Sequence, residues 1–338
     1  MGAIWRAWLL PHKNIPRSPT HSIVARLLSL QVQRGKEGYS PQMSSKISSR
    51  RALLEILTVY TDAIVLKDTS AIPVTNDVRI TSNGEETSLG NTPMWKNPGR
   101  LRIPYRRVLV DAKRGAIMFR GTVTNEVIPR GSPIEQIVNP PPGIWWWYAL
   151  RLQVKNSQIT EIEEIISTVG FPGTPAKSMI FPDRIWDMIV PEDQRSTEEE
   201  LLQIADDYFS TVSGTIPWHK APFHPEVNRY ENGAATTNAV FLPGGTGTGL
   251  LSPALQNLQV TNRRFYVVDV TTGVVGALAK FTPPKPSEHI TRGAVSAVIF
   301  EEFKIQDGLI RHIEAFFNVE GQEYPNWGTG PGSRPGAE

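Results

Sequence analysis

Side chains that can move protons are concentrated in the second half of this chain. His219, His224, His289 and His312 lie there, whereas the other two of the six histidines lie within the first 21 residues. Histidine suits general acid–base chemistry because its ordinary pKa lies close to neutral pH. An acid–base site is therefore predicted in the second half of the chain.

Arg229 and Glu231 follow these histidines in a segment with the composition of a β-strand. They are two positions apart, so on a strand both side chains point to the same face of the sheet. Two interpretations remain open: an ion pair that only stabilises the strand, or two groups that face a ligand.

The spacing of these residues does not fit a metal or nucleotide site. His219 and His224 are five positions apart rather than the four of a helical zinc pair, and the chain has no cysteine. The glycine-rich segment 244–249 has neither the phosphate-loop pattern nor the dinucleotide-binding pattern, and is predicted to be a loop. We therefore expect no metal and no cofactor.

Aromatic residues are clustered in the run Trp145–Tyr148, just after three prolines and a glycine. Alternate side chains of a strand point to opposite faces, so Trp147 shares a face with Trp145. Two interpretations remain open for this run. One pair of rings lines an aromatic pocket while the other covers a contact between the two halves of the chain, or both pairs pack as core or as the contact between the halves.

Two groups of glutamates resemble paired carboxylates. The first is Glu161, Glu163 and Glu164, and the second is Glu301 with Glu302. Because Glu161 and Glu163 share one face of a predicted strand, we interpret them as the solvated edge of a sheet.

The chain repeats itself, with matched segments separated by 148 to 158 positions. The matches are 53–60 with 201–208, Asn83-Gly84 with Asn232-Gly233, 106–115 with 263–273, and 159–163 with 310–314. All four occur in the same order, which indicates an internal duplication.

Each unit is predicted to begin with a helix and to continue with antiparallel strands. Apolar residues recur at helical spacing from Leu53 to Ile64 and from Leu201 to Val212, and Ser196 with Glu199 has the pattern of a capping box. Helices followed by a meander of strands predict an α+β fold. The predicted segments are a tail at 1–49, a first unit at 50–170, a packed linker at 171–195, a second unit at 196–327 and a tail at 328–338.

An excess of positive over negative charge is confined to the N-terminal region. Residues 1–51 hold nine Lys or Arg and one acidic residue, whereas the rest of the chain has 26 basic and 32 acidic residues. An acidic body without a basic stripe is not typical of a nucleic-acid binder. The tail is interpreted as a disordered extension, with Met43 as an alternative start, or as a mitochondrial transit peptide over residues 1–42.

The opening helix at 51–66, the segment 78–84 and the strand that ends at 159–163 resemble the nuclear transport factor 2-like fold, also called SnoaL-like. The Arg-x-Glu-Asn-Gly segment that begins at Arg229 is similar to one in a family of uncharacterised fungal proteins with two such units. This resemblance implies an α+β fold of two tandem cone-shaped units, each with helices packed against a curved antiparallel β-sheet, that form a pseudo-dimer within one chain. Secreted relatives carry cysteines that this chain lacks, which implies a cytoplasmic location unless the tail is a transit peptide.

The resemblance also implies which side chains act. Dehydratases, cyclases and ketosteroid isomerases of this fold move protons with side chains that line the cone. A histidine is expected to act as the base, a carboxylate to orient it, and an arginine to hold a substrate oxyanion. The predicted catalytic residues are His224, His219, Glu231 and Asp269, and the predicted substrate-binding residues are Arg229, Tyr230, Trp218 and Trp147.

The implied function is small-molecule binding in the second unit, with cofactor-free isomerisation, cyclisation or dehydration of an apolar, oxygenated metabolite. The alternative is a non-catalytic module that binds a ligand or a protein. Neither hypothesis involves nucleic acid or a membrane as partner, and a pseudo-dimer within one chain is expected to be a monomer. An apolar cone that contains a buried histidine–carboxylate pair favours the enzyme, whereas a cone filled by its own side chains favours the alternative.

Overall fold

Two copies of one α+β unit make up the part of the chain that the structure describes. The computed structural model describes residues 49–96, 100–124, 145–167, 183–237, 258–282 and 297–318. The predicted tails, apart from Ser49, lie outside these ranges, as do the glycine-rich segment 244–249 and His289. Each unit contributes one six-stranded sheet. The predicted α+β class and the internal repeat are thus confirmed, and the cone shape of the units remains a prediction.

The first repeat begins with a long helix and continues mainly as antiparallel strands. Its elements are helices α1 (Arg50–Leu66) and α2 (Pro93–Lys96) and strands β1 (Val74–Ser82), β2 (Glu85–Thr87), β3 (Arg100–Asp111), β4 (Ala116–Thr124), β5 (Trp145–Lys155) and β6 (Gln158–Ser167). The strand order is β2-β1-β6-β5-β4-β3. Every neighbouring pair is antiparallel except β1 with β6, which is parallel.

In its described residues the second repeat has the same order of elements, and the segment that corresponds to α2 lies outside them. Its elements are helix α3 (Glu198–Val212) and strands β7 (Phe223–Glu231), β8 (Ala234–Ala235), β9 (Gln259–Asp269), β10 (Val274–Thr282), β11 (Ala297–Gln306) and β12 (Leu309–Phe317). The strand order β8-β7-β12-β11-β10-β9 matches that of the first sheet, and β7 runs parallel to β12. No helix in the described residues combines the length and the apolar character needed to cross a membrane.

The start of α3 lies one residue later than the sequence predicts. Thr197, not Ser196, is the N-cap, and its hydroxyl accepts a hydrogen bond from the backbone N–H of Glu200. The Glu200 carboxylate in turn accepts from the backbone N–H of Thr197 at 2.7 Å, which completes a capping box. The motif is satisfied by Ser196 with Glu199 and equally by Thr197 with Glu200. It therefore does not by itself decide at which residue the helix begins.

An Asn-Gly turn closes the first hairpin of each repeat. Asn83 and Gly84 have φ values of 49° and 88°, and Asn232 and Gly233 have 44° and 82°. Asparagine and glycine tolerate these left-handed conformations better than other residues. The Asn83 side chain also accepts from the backbone N–H of Ile166, so the turn is fixed to the end of β6.

Residues 183–195, the described part of the segment before α3, pack on the body; residues 171–182 of the predicted linker lie outside the described residues. Two 3-10 turns, Arg184–Trp186 and Glu192–Gln194, occupy the described part. The Trp186 side chain is 2% exposed. Its indole N–H donates to the Glu314 carboxylate at 2.8 Å, and the Arg107 guanidinium lies 3.9 Å from its ring centroid.

Each repeat has its own apolar core beneath its helix, and a third cluster lies between the two sheets. The third cluster contains residues from both repeats, among them Met118, Trp147, Tyr266 and Phe300. Burial of this apolar surface stabilises the contact between the sheets.

Buried ion pairs surround this contact, which corrects the interpretation of the glutamates as a solvated edge. Glu163, Glu164, Glu301 and Glu302 are all 2% exposed or less. Glu302 accepts from Arg107 at 2.9 Å and from Arg120 at 2.7 Å, across the two repeats. Sequence spacing places Glu161 and Glu163 on one face, but only the second sheet determines that this face is covered.

Candidate functional site

A buried tyrosine–glutamate pair lies between helix and sheet in the second repeat. Tyr208, on α3, donates its hydroxyl to Oε1 of Glu301, on β11, at 2.8 Å. Both residues are 0% exposed. The neighbours of Glu301 on the adjoining strands are Ala277 and Ala315, and their small side chains leave space on this face for a carboxyl group.

Arg229 joins this pair to Glu231. Its Nη1 donates to Oε1 of Glu231 at 3.0 Å, and its Nη2 lies 3.3 Å from Oε1 of Glu301. The ion pair of Arg229 with Glu231, which was one interpretation of their spacing, is therefore present. The same guanidinium also pairs with Glu301. The guanidinium is 1% exposed, so its charge is balanced inside the protein rather than by water.

Two polar atoms of the cluster have no hydrogen-bond partner in the described residues. They are Oε2 of Glu301 and Nε of Arg229. Burial raises the pKa of Glu301 to about 7, although Arg229 and Tyr208 act in the opposite direction. Burial also raises the pKa of Tyr208, which stays a hydrogen-bond donor at neutral pH. A carboxyl group like that of Glu301 can accept and return a proton near neutral pH.

Aromatic rings surround the cluster on the helix side. Phe209 is the residue after Tyr208, and its ring centroid lies 5.5 Å from that of Phe303. Phe265 and Phe281 are each 5.9 Å from Phe209. All four phenylalanines belong to the core of the second repeat. The core beside the cluster is therefore apolar, and burial at its edge is the main cause of the high pKa of Glu301.

The two predicted histidines lie away from this cluster. His219 is exposed in the 3-10 turn Trp218–Lys220. His224 is partly exposed, and its Nδ1 accepts from the backbone N–H of Glu226 at 3.1 Å. Among the described residues, no hydrogen bond joins either histidine to Glu231 or Asp269. The predicted histidine–carboxylate pair is thus not formed there, and a catalytic role for either histidine remains a prediction.

The remaining predicted residues have structural contacts of other kinds. Asp269 closes the turn between β9 and β10, where its carboxylate accepts from the backbone N–H of Thr271 at 2.9 Å. Trp218 stacks on Phe223 at 5.8 Å between ring centroids.

Tyr230 and Trp147 lie on the other side of their sheets. The Tyr230 ring stacks on the ring of His312 at 5.1 Å, and burial raises the pKa of its hydroxyl. Trp147 is 4% exposed and belongs to the cluster between the two sheets. This position is compatible with both interpretations of the aromatic run, since each includes a contact between the halves.

The sequence does not indicate that Glu301 and Tyr208 form a pair. The helical periodicity places Tyr208 only on an apolar face. Glu301 lies in the strand Ala297–Gln306, where two adjacent glutamates interrupt a run of apolar residues. A solvated edge rarely has apolar residues on both sides of a carboxylate. The apolar run around Glu301 was therefore the signal in the sequence that this glutamate is buried.

The described residues contain no group of three His, Asp or Glu side chains with the geometry to hold a metal ion.

The fold and site define an α+β protein built from two copies of one domain, with a buried carboxyl cluster beneath the helix of the second copy. The family model "Domain of unknown function (DUF8021)" matches residues 46–166 and 194–317. The chain therefore belongs to this family and contains its domain twice. The comparison with curated proteins gives no match.

Several solved structures resemble part of the chain. AclR, a candidate hydroxylase from Streptomyces galilaeus, is 18% identical over 35% of this chain and 80% of its own, with a TM-score of 0.25. A candidate ketosteroid isomerase from Kribbella flavida is 16% identical over 42% of this chain and 95% of its own, with a TM-score of 0.26. A de novo designed protein with a curved β-sheet is 18% identical over 35% of this chain and 88% of its own, with a TM-score of 0.24.

Proposed function

We propose that the second repeat binds an apolar, oxygenated small molecule and transfers a proton within it, with Glu301 as the acid–base group. The observation that carries this proposal is a buried glutamate with a pKa of about 7, whose Oε2 has no hydrogen-bond partner in the part of the chain that the structure describes. General acid–base catalysis works best when the pKa of the group matches the working pH. This assignment replaces histidine by a carboxyl group as the proton carrier.

The neighbouring side chains have distinct parts in this proposal. Oε2 of Glu301 removes a proton from a carbon next to a carbonyl group and returns it to another position of the same molecule. Tyr208 holds Oε1 and so fixes the orientation of the carboxyl group. Arg229 keeps the pKa of Glu301 from rising further, so that the carboxylate is populated at neutral pH. The reaction is an isomerisation, and it needs no redox cofactor because the substrate is neither oxidised nor reduced; the proton on Glu301 exchanges with solvent before it is returned.

A second candidate function is a non-catalytic binding module. The aromatic rings of Phe209, Phe265, Phe281 and Phe303 fill much of the space beneath α3, as a core does. In that case the repeats bind a partner through their outer surfaces, and Glu301 is a buried polar group that stabilises the helix on its sheet.

Deuterium exchange distinguishes these two functions, and it does not require the natural substrate to be identified first. The full chain is incubated in D2O with a panel of apolar ketones and lactones, and deuterium uptake at the carbon next to the carbonyl group is followed by NMR. We expect catalysed uptake for at least one compound, with a rate that rises with pH up to about 7 and is about a hundredfold lower or more in Glu301→Gln.

The exposed Glu226 supplies the matched control. It lies on β7, the strand of Arg229, and Glu226→Gln removes a carboxylate there without changing the cluster. Its uptake rate should equal that of the unchanged protein. No catalysed uptake across the panel, or equal rates in Glu301→Gln and the unchanged protein, would contradict proton transfer by Glu301 and favour the binding module.

A further inference from the structure

A single arginine lies between two carboxyl groups of the second repeat, and its contacts with them are unequal. Nη1 of Arg229 donates a hydrogen bond to Oε1 of Glu231 at 3.0 Å, whereas its Nη2 forms an ion pair with Oε1 of Glu301 at 3.3 Å. That oxygen of Glu301 already accepts from the Tyr208 hydroxyl at 2.8 Å. The shorter contact of the guanidinium is therefore with Glu231, and its contact with Glu301 involves only the oxygen that Tyr208 also binds.

The backbone of Arg229 is held by contacts that do not involve its guanidinium. Its N–H donates to the hydroxyl of Thr237 at 2.6 Å, and its carbonyl accepts from the N–H of Thr236 at 2.9 Å. Nε of the guanidinium has no hydrogen-bond partner in the described residues. The hydrogen bond to Glu231 is therefore the contact that sets the direction of the guanidinium, and the side chain can turn while the strand stays in place.

The alternative direction of Arg229 leads to Glu301. A guanidinium binds both oxygens of one carboxylate at once through two parallel hydrogen bonds, and such charged pairs are stronger than single neutral ones. If Arg229 turned fully to Glu301, it would bind Oε2 as well as Oε1. The ionised form of Glu301 would then be stabilised, its pKa would fall, and Oε2 would be occupied.

The first repeat shows that the fold does not require this arginine and glutamate. It forms a tyrosine–glutamate pair beneath its own helix, in which Tyr60 donates to Glu164 at 3.0 Å. Counted back from the Asn-Gly turns, its residues at the positions of the arginine and the glutamate are Ile80 and Ser82. The tyrosine–glutamate pair thus occurs in both repeats, whereas the arginine and the second glutamate are present together in one repeat and absent together from the other.

We propose that Glu231 is a positioning residue, which holds Arg229 away from Oε2 of Glu301 and so keeps that oxygen free to take up a proton. This inference rests on the proposed function, in which Glu301 carries the proton. Glu231 acts through Arg229 and does not itself exchange the proton. Its negative charge acts in the same direction, because it raises the pKa of Glu301.

Glu231→Gln tests this role in the full chain without any substrate. The side-chain carboxyl carbons of the glutamates are followed by carbon-13 NMR over a range of pH, and the signal of Glu301 is identified by its loss in Glu301→Gln. In the unchanged protein its titration midpoint is expected at about pH 7. We expect this midpoint to fall by about one pH unit in Glu231→Gln, because the charge of Arg229 is then balanced by Glu301 alone.

Glu231→Asp separates the position of Arg229 from the charge of its partner. Aspartate keeps the negative charge but is one methylene group shorter, so it cannot hold Nη1 in the same place. The midpoint of Glu301 should therefore fall in this variant too, and the variant remains informative if Glu231→Gln does not fold. Glu226→Gln, which removes an exposed carboxylate from the same strand, is the matched control and should leave the midpoint unchanged.

The role of Glu231 is overturned if the Glu301 midpoint stays the same or rises in Glu231→Gln, or if it stays the same in Glu231→Asp. Deuterium uptake by the ketone and lactone panel tests the proposed function separately. The pH at which uptake reaches half its maximal rate should fall together with the midpoint. A midpoint that falls while uptake is absent, or while the pH profile of uptake does not move, would contradict proton transfer by Glu301 and still support the positioning of Arg229 by Glu231.

Discussion

At the scale of single residues, the pKa of a carboxyl group in this protein depends on how deeply the group is buried. Glu301 and Glu231 belong to one cluster, yet only Glu301 is fully enclosed, with two alanines beside it and an aromatic core above. Burial removes the water that stabilises a carboxylate, so the pKa of Glu301 rises to about 7 in spite of Arg229. A pKa that differs between folded and unfolded states makes the stability depend on pH.

The Glu301→Gln variant tests this dependence. The pKa of Glu301 is raised from 4.5 to about 7, so the folded protein holds the proton more tightly than the unfolded chain. Its contribution to the free energy of unfolding is therefore fully present below pH 4.5 and is lost as the pH rises through 7. Glutamine does not titrate. As the pH rises from about 4 to about 8, we therefore expect the free energy of unfolding of the variant to increase by about 3 kcal/mol relative to that of the unchanged protein.

Urea unfolding at several pH values measures this difference, with the exposed Glu226→Gln as control. The control should follow the unchanged protein at every pH. A constant difference between Glu301→Gln and the unchanged protein from about pH 4 to about pH 8 would show that the pKa of Glu301 is not raised.

At the scale of elements, short local motifs fix where each helix and hairpin begins. The capping box of α3 uses Thr197 and Glu200, which satisfy backbone N–H groups that have no partner within the helix. The Asn-Gly turns at Asn83 and Asn232 close equivalent hairpins and attach them to β6 and β12. These contacts repeat in both halves because the same local sequence is present twice.

The choice of cap is open to a direct test with two neighbouring substitutions. Thr197→Ala removes the cap and should lower the free energy of unfolding by about 1 kcal/mol. Ser196→Ala should change it by less than about 0.5 kcal/mol, because Thr197 and not Ser196 caps the helix. Chemical denaturation of both variants provides the measurement. The opposite ranking would place the start of α3 at the position that the sequence first suggested.

The two asparagine turns form a second matched pair. Asn83 makes one side-chain hydrogen bond to β6, whereas Asn232 both accepts from the backbone N–H of Phe317 and donates to its carbonyl. Both have positive φ, so alanine brings a similar backbone cost at either position. We expect Asn232→Ala to lower the unfolding free energy by about 1 kcal/mol more than Asn83→Ala. Equal losses in denaturation experiments would mean that the extra hydrogen bond adds no stability.

At the scale of the whole molecule, the two repeats contact each other through apolar side chains bordered by buried charges. On one side the first repeat supplies Arg107 and Arg120, and the second supplies Glu302 and Glu314. Burial alone would raise the pKa of Glu314, but Arg120 and the neighbouring His312 and Arg107 lower it to about 2. On the other side Arg264 donates to Glu163 at 2.8 Å. Arg151 of the first repeat also pairs with Glu163, so the charges balance partly across the contact and partly within one repeat.

Glu302→Gln tests the importance of this balance. The substitution leaves Arg107 and Arg120 buried with one carboxylate fewer, and breaking a buried pair in this way typically costs about 3–5 kcal/mol. The exposed pair of Arg79 with Glu86 is the matched control, and Glu86→Gln should cost about 0–1 kcal/mol. Thermal and urea unfolding give both values. A loss for Glu302→Gln no larger than that for Glu86→Gln would show that these ion pairs do not stabilise the contact.

The sequence alone determined the features that depend on neighbours along the chain. The duplication, the α+β class and the two long helices follow from local periodicity and repeated segments, and the structure confirms them. The ion pair of Arg229 with Glu231 was also open to prediction, because residues two apart on a strand share a face.

Only the tertiary structure decided which faces are covered, and therefore which charges are buried. Strand periodicity places Glu163 on a face, but whether water or a second sheet lies against that face depends on residues about 100 positions away. The same holds for Glu301, whose partners Tyr208 and Arg229 come from other elements. A raised pKa is a property of this enclosure, so the pattern of residues along the chain could not indicate it.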